Sequence, residues 1–239
     1  MIIPIGDENV RGGKPPILSY SFLVLNILLF IWQTRFDGQM ICELGAIPAN
    51  LVAGERSITA LSSMFLHGSW MHLIGNMIFL WIFADNIEAT IGSVRFFVFY
   101  IVGGLIAVAA HVLIGVDFFQ TNCCSPCSLL YPCDGTVAAC SSFSPLVGAS
   151  GAIAAVLGAY LVMFPTSKIK ILFFVLPFRV PAYLFLCIWI VQQYLRGIES
   201  LEFDTSNVAW WAHVGGFAFG LIMGILFRRY LPDKGPNYL

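Results

Sequence analysis

The chain has 239 residues, of which 59% are hydrophobic and only 10% charged, with a formal net charge of −1. Soluble domains carry about 25% charged residues, so this composition excludes a soluble globular protein, and the near-neutral charge removes nucleic acid as a partner. An integral membrane protein of one domain remains, because no polar stretch is long enough to build a second core.

Residues 1–16 are polar, with prolines and glycines, and read as a cytoplasmic N-terminal segment. The first apolar run, Ile17–Gln33, is too long and too poorly flanked for a cleaved signal peptide and reads as a retained span. A spanning helix needs roughly 17–25 apolar residues. Met71–Asn86, Val94–Val116, Gly148–Phe164, Ala182–Arg196 and Val208–Tyr230 supply further spans, the first and fourth of these gaining length from their flanks. Lys168–Pro181 is apolar but holds Arg179 and two prolines; it reads as a cytoplasmic interfacial stretch. Residues 231–239 form a cytoplasmic tail. The domain is expected over 17–230.

Six spans put both termini on one side. With the termini inside, Arg11, Lys14, Arg95, Lys168, Lys170, Arg179, Arg228, Arg229 and Lys234 are cytoplasmic, against Arg35, Arg56 and Arg196 outside. That bias follows the positive-inside rule. The second, fourth and sixth spans then begin at the outer surface, so Ser150 and His213 share a shallow depth. Trp210 and Trp211 fit an aromatic belt just before His213.

An outer loop over 117–147 holds Cys123, Cys124, Cys127, Cys133 and Cys140, and Cys42 follows the first span on the same side. An even set of six in an oxidising compartment fits a disulfide framework, with its connectivity open. A metal site on Cys-Cys-x-x-Cys competes, and the lack of a nearby histidine favours disulfides. Cys187, in the fifth span, reads as a small apolar filler.

Gly148-Ala149-Ser150-Gly151 alone is a packing motif, continued by Ala152, Ala155, Gly158 and Ala159. It departs from the soluble-hydrolase elbow at Ala152. His213 alone reads equally as a satisfied structural donor. Gly216, Gly220 and Gly224, at four-residue spacing, let its helix approach a partner closely. Packing the two small faces together brings a hydroxyl and an imidazole to one depth, which makes a nucleophile and its base. His72 and Asn76 lie on one helix face, are costly in lipid, and can donate to an oxyanion together with the Ser150 N–H. His67 reads as a loop-ordering residue and His111 as structural. The His67–His72 spacing does not match a zinc helix motif, so neither metal nor cofactor is expected. No carboxylate suits a triad. Asp85 and Glu88 close the second span, and Asp117, Glu199, Glu202 and Asp204 lie in loops or at outer helix ends.

Together these pieces resemble the rhomboid family of intramembrane serine proteases. The resemblance runs from Pro4-Ile5-Gly6-Asp7-Glu8-Asn9 to Gly224, with His67, His72, Asn76, Gly148-Ala149-Ser150-Gly151 and Ala212-His213-Val214-Gly215-Gly216 in the family's order. It implies an all-α membrane protein, a six-transmembrane-helix bundle open to water from outside. It implies Ser150 as nucleophile and His213 as general base and then acid. His72, Asn76 and the Ser150 backbone would form the oxyanion hole. Gly148 would permit the turn before the serine, with Gly151 behind it, and the fifth helix would gate access from membrane lipid. The implied partners are transmembrane protein substrates, cut near the outer surface. Two features depart from the family's common pattern: Ile58 and Thr59 stand where many bacterial members carry a Trp-Arg pair, and Ala154 stands where many members place an aromatic under the histidine. The cysteine loop is an insertion. The alternative is a non-proteolytic rhomboid-like protein that binds membrane segments; the presence of both Ser150 and His213 argues against it. A small transporter would place its polar residues at the midplane. Compactness points to a prokaryotic cell membrane.

Overall fold

A computed structural model of the chain describes residues 2–8, 13–36, 38–121, 123–128, 133, 137, 139–173, 176–202 and 208–230. The tail 231–239 lies outside the described residues, as do Asn9, Arg11, Asp204 and Lys234. The protein is mostly helical. After α1 (Ile17–Gln33), short helices α2 (Gln39–Leu44), α3 (Pro48–Val52) and α4 (Thr59–Ser62) lead to α5 (Trp70–Ile91) and α6 (Ser93–Ile114). An irregular loop then precedes α7 (Ser150–Met163), followed by α8 (Ala182–Glu202) and α9 (Trp210–Tyr230). Among the described residues, α6 and α9 are long and apolar enough to cross a membrane by length and composition. Helices α1 and α7 are apolar but shorter, at 17 and 14 residues.

Helix α7 forms the centre. Every residue from Gly151 to Tyr160 is buried, and a helix apolar all round belongs in a core. It packs most extensively on α9, then on α6 and α5. Glycine makes the α7–α9 approach possible. A Cβ on Gly220 would strike the Ala155 carbonyl, one on Gly216 the Gly151 carbonyl, and one on Gly158 the Phe217 carbonyl. Helix α6 adds Gly103 against Ala155. In lipid there is no hydrophobic force between helices, so such backbone-to-backbone packing supplies their cohesion.

The expectation of an all-α fold is corrected by a three-stranded antiparallel sheet. Strands β1 (Ile2–Gly6), β2 (Lys168–Phe173) and β3 (Leu176–Pro181) lie in that order, with Ile3 opposite Leu172 and Lys170 opposite Arg179. The supposed interfacial stretch is therefore a hairpin, and part of the polar N-terminal segment is its third strand. Lys168, Ile169, Lys170 and Ile171 alternate with the period of a strand. Pro177 and Pro181 sit on an edge strand, where a missing N–H costs no ladder bond.

Helix ends also differ from those read in the sequence. Helix α5 runs past Asn86 because its acidic end is buried. Glu88 accepts from Leu18 N at 3.0 Å, Ser19 N at 2.7 Å, Ser19 Oγ at 2.7 Å and Ser93 Oγ at 2.6 Å. Helix α1 starts after Pro16 without a side-chain cap of its own; Glu88 supplies the acceptor for its first free N–H groups. Helix α7 starts at Ser150 and not at Gly148, whose φ of +122° lies outside helical space.

All six cysteines of the loop set are paired, as Cys42–Cys127, Cys123–Cys140 and Cys124–Cys133. Cys187 is free and faces outward on α8.

Candidate active site

Ser150 is the first residue of α7, and the turn before it is fixed on both sides. Leu146 and Ala46 exchange backbone hydrogen bonds at 2.8 and 3.0 Å, and Gly148 N donates to Ser63 O at 2.9 Å. The left-handed φ of Gly148 then directs the chain into the helix. A Cβ there would lie 2.7 Å from His72 Nε2 and 3.5 Å from Asn76 Nδ2. Glycine thus leaves room for two donors to close around the serine's turn.

Ser150 Oγ lies 2.8 Å from His213 Nε2, and His213 Nδ1 lies 2.8 Å from Gln193 Oε1. An amide oxygen only accepts, so Nδ1 carries the proton and Nε2 presents its lone pair to the serine hydroxyl. Trp189 and Trp210 flank the imidazole, with ring centroids 6.0 and 6.1 Å away.

On α5, Ser69 caps the helix by accepting from His72 N at 3.2 Å. His72 Nδ1 accepts from Gly68 N at 3.5 Å, which leaves Nε2–H free to point at Gly148. Asn76 stacks one turn on, buried, and its Nδ2 has no hydrogen-bond partner among the described residues. Such an orphan buried donor is rare.

His67 is fully buried. The Gln33 amide clamps its backbone, accepting from His67 N at 3.1 Å and donating to His67 O at 2.6 Å. Its ring meets Phe30 and His72 at centroid distances of 6.3 and 5.2 Å. Burial, with His72 nearby, lowers its pKa to about 3, so it stays neutral. Gly151 lies against Ala107 of α6.

The structure therefore brings Ser150, His213, His72, Asn76 and Gly148 to one place, with His67 behind His72. Two contributors do not stand out in the sequence: Gln193, which meets His213, and Gln33, which holds His67. The Gln192-Gln193 pair does carry a signal, because intramembrane polar residues are expensive to keep. Choosing between the two needs knowledge of which face of α8 turns inward.

The Rhomboid domain family model matches residues 55–230, well over half of the chain, and the chain belongs to the rhomboid family. It is similar to rhomboid protein 1, mitochondrial, of Saccharomyces cerevisiae, with 28% identity over 211 residues covering 88% of this chain and 53% of the relative. It is similar to the presenilin-associated rhomboid-like protein, mitochondrial, of Homo sapiens, with 26% identity over 221 residues covering 90% and 48%. RHOMBOID-like protein 12, mitochondrial, of Arabidopsis thaliana is 26% identical over 220 residues, covering 92% and 61%. The chain spans about half the length of the first two relatives. These names overturn the expected cell-membrane location with cytoplasmic termini, because the relatives are mitochondrial. Compactness could not decide it, since apolar helices look alike for every bilayer. Membrane association itself stands.

Proposed function

We propose that this chain is an intramembrane serine endopeptidase that cuts transmembrane segments of other membrane proteins near one membrane surface, with Ser150 and His213 as its dyad. The observation that carries this reading is the 2.8 Å contact between Ser150 Oγ and His213 Nε2, beside the Asn76 Nδ2 that has no hydrogen-bond partner among the described residues. The six longer helices form the membrane bundle. Helix α7 has 14 residues, so it is about 21 Å long, against roughly 30 Å of hydrocarbon. Its far end runs into the sheet with Lys168 and Lys170, so the Ser150 end is the submerged one. Water must reach it from that side.

A substrate helix approaches from lipid beside α8 and unwinds to expose a peptide carbonyl. Ser150 attacks as His213 takes its proton. Negative charge develops on the carbonyl oxygen, within reach of the His72 Nε2–H, the Asn76 amide and the first free N–H groups of α7. The positive end of the α7 dipole adds to this. The imidazolium then protonates the leaving amine, and water releases the acyl group from Ser150. No carboxylate among the described residues takes part.

The test is cleavage of a model transmembrane substrate by purified protein. Ser150→Ala should lower turnover by on the order of 10⁴-fold or more without loss of helical content. A fluorophosphonate probe should label Ser150 in the wild type and not in His213→Ala. Retained cleavage in the serine variant would sink the assignment.

A further inference from the structure

We infer that Gln193 is the third member of the site, a positioning residue that holds His213 in its working tautomer; the inference rests on the dyad reading above. Gln193 is on α8, only 6% exposed, and its Oε1 lies 2.8 Å from His213 Nδ1. Trp189, one turn earlier on the same helix face, lies beside the same imidazole. Helix α8 thus contacts the histidine at two points, one polar and one flat. On the α7 side, Ala154 is fully buried and offers the ring neither an aromatic face nor a polar atom.

The chemistry requires such a partner. A neutral imidazole has two tautomers, and only the one with hydrogen on Nδ1 leaves Nε2 able to accept from Ser150 Oγ. An acceptor fixed at Nδ1 selects that tautomer and fixes the plane of the ring. As Ser150 loses its proton to Nε2, the imidazole becomes a cation, and the amide oxygen dipole stabilises it in place. A carboxylate would do this more strongly. Buried among apolar helices, it would also carry a large desolvation cost before the reaction began. A neutral amide orients the ring without that cost, and Gln193 is the residue that reaches it.

Helix α8 also lies at the periphery of the bundle. It packs on α9, α7 and the sheet, while Tyr183, Leu184, Ile188, Val191 and Leu195 face away from the protein. The histidine's alignment is therefore tied to a helix whose other face meets lipid.

The test compares Gln193→Met with Gln193→Glu in purified full-length protein. Methionine keeps the volume and removes the acceptor; glutamate keeps the acceptor and adds a charge. Positioning predicts that Gln193→Met loses on the order of 10²-fold in kcat with KM within about twofold, and that Gln193→Glu recovers most of it. A space-filling role predicts the reverse order, since volume-conserving apolar replacements are tolerated and unpaired buried charges are not. That reverse order, or wild-type turnover in Gln193→Met, overturns the inference. Nitrogen NMR of His213 gives a second reading on either variant, and a wild-type tautomer in Gln193→Met overturns it too. Ser150→Ala run alongside separates the two claims. If it is inert while Gln193→Met is fully active, only Gln193's role fails; if it still cleaves, the dyad reading falls and takes this inference with it.

Discussion

Asp7 sits far from the dyad and still bears on the fold. Its carboxylate accepts from Asn86 Nδ2 of α5 at 2.7 Å and from the Tyr160 hydroxyl of α7, and Ser167 Oγ lies 3.0 Å from that hydroxyl. Burial outweighs these hydrogen bonds and raises its pKa from 3.8 to about 6. The sign follows from linkage. Between about pH 4 and 6 the folded state holds the proton and the unfolded state does not, so stability falls as pH rises through that window. The decline should be on the order of 3 kcal/mol. Denaturation in detergent at a series of pH values should show it, and Asp7→Asn should flatten the slope; an unchanged slope would assign the effect elsewhere. The same contrast explains what the sequence reveals. Ser150, His213, His72 and Asn76 are legible because each is a costly polar group in apolar surroundings. Asp7 and Glu88 are not, because their roles depend on partners 79 and 69 residues away, and Gln193 is so only in part, because its neighbour Gln192 carries the same polar signal.

Helices were legible by their apolar runs, and the mates of α9 by its glycine spacing. The hairpin of β2 and β3 was not, because its alternating pattern lies within a run apolar enough to suit an interface. The start of α7 depended on one backbone angle, which no composition reveals. The glycines permit a paired test of element packing. Gly220 has the Ala155 carbonyl where a Cβ would go, whereas Gly75, in the second turn of α5, has nothing within 4 Å. Gly220→Ala must therefore push α9 off α7, at a cost of about 1–3 kcal/mol. It should also weaken the Ser150–His213 contact, since one residue lies on each helix. Gly75→Ala gains helix propensity of roughly 1 kcal/mol and meets no obstacle. Thermal midpoints should move in opposite directions, and Ser150 labelling by a fluorophosphonate should slow only in Gly220→Ala. Equal shifts for both variants would mean that close backbone approach does not govern the α7–α9 pair.

The whole molecule is held from both faces, by the sheet and Asp7 at one and by disulfides at the other. Cys42–Cys127 joins segments 85 residues apart, linking α2 to the loop ahead of α7. The contacts next to that bridge lead straight to Ser150. Ala49 N donates to Ser142 O at 2.9 Å, Ala46 pairs with Leu146, and Gly148 N is fixed by Ser63 O. A cross-link of this span restricts the unfolded chain by up to about 4.6 kcal/mol in the loop-entropy account. In the folded state it joins α2 to the loop beside the turn that presents Ser150. Removing it by Cys42→Ser with Cys127→Ser should lower the thermal midpoint and also slow labelling of Ser150 at temperatures well below that midpoint. The second effect distinguishes alignment from bulk stability, because a purely entropic cross-link would leave the folded protein's labelling rate unchanged. Full-rate labelling in the double variant would mean that Ser63 and Gly148 alone suffice to set the turn. The same measurement under reductant should match the double variant, unless the two shorter bridges also bear on the turn. In that case reduction slows labelling further, and Cys123–Cys140, which closes next to Ser142, is the bridge responsible.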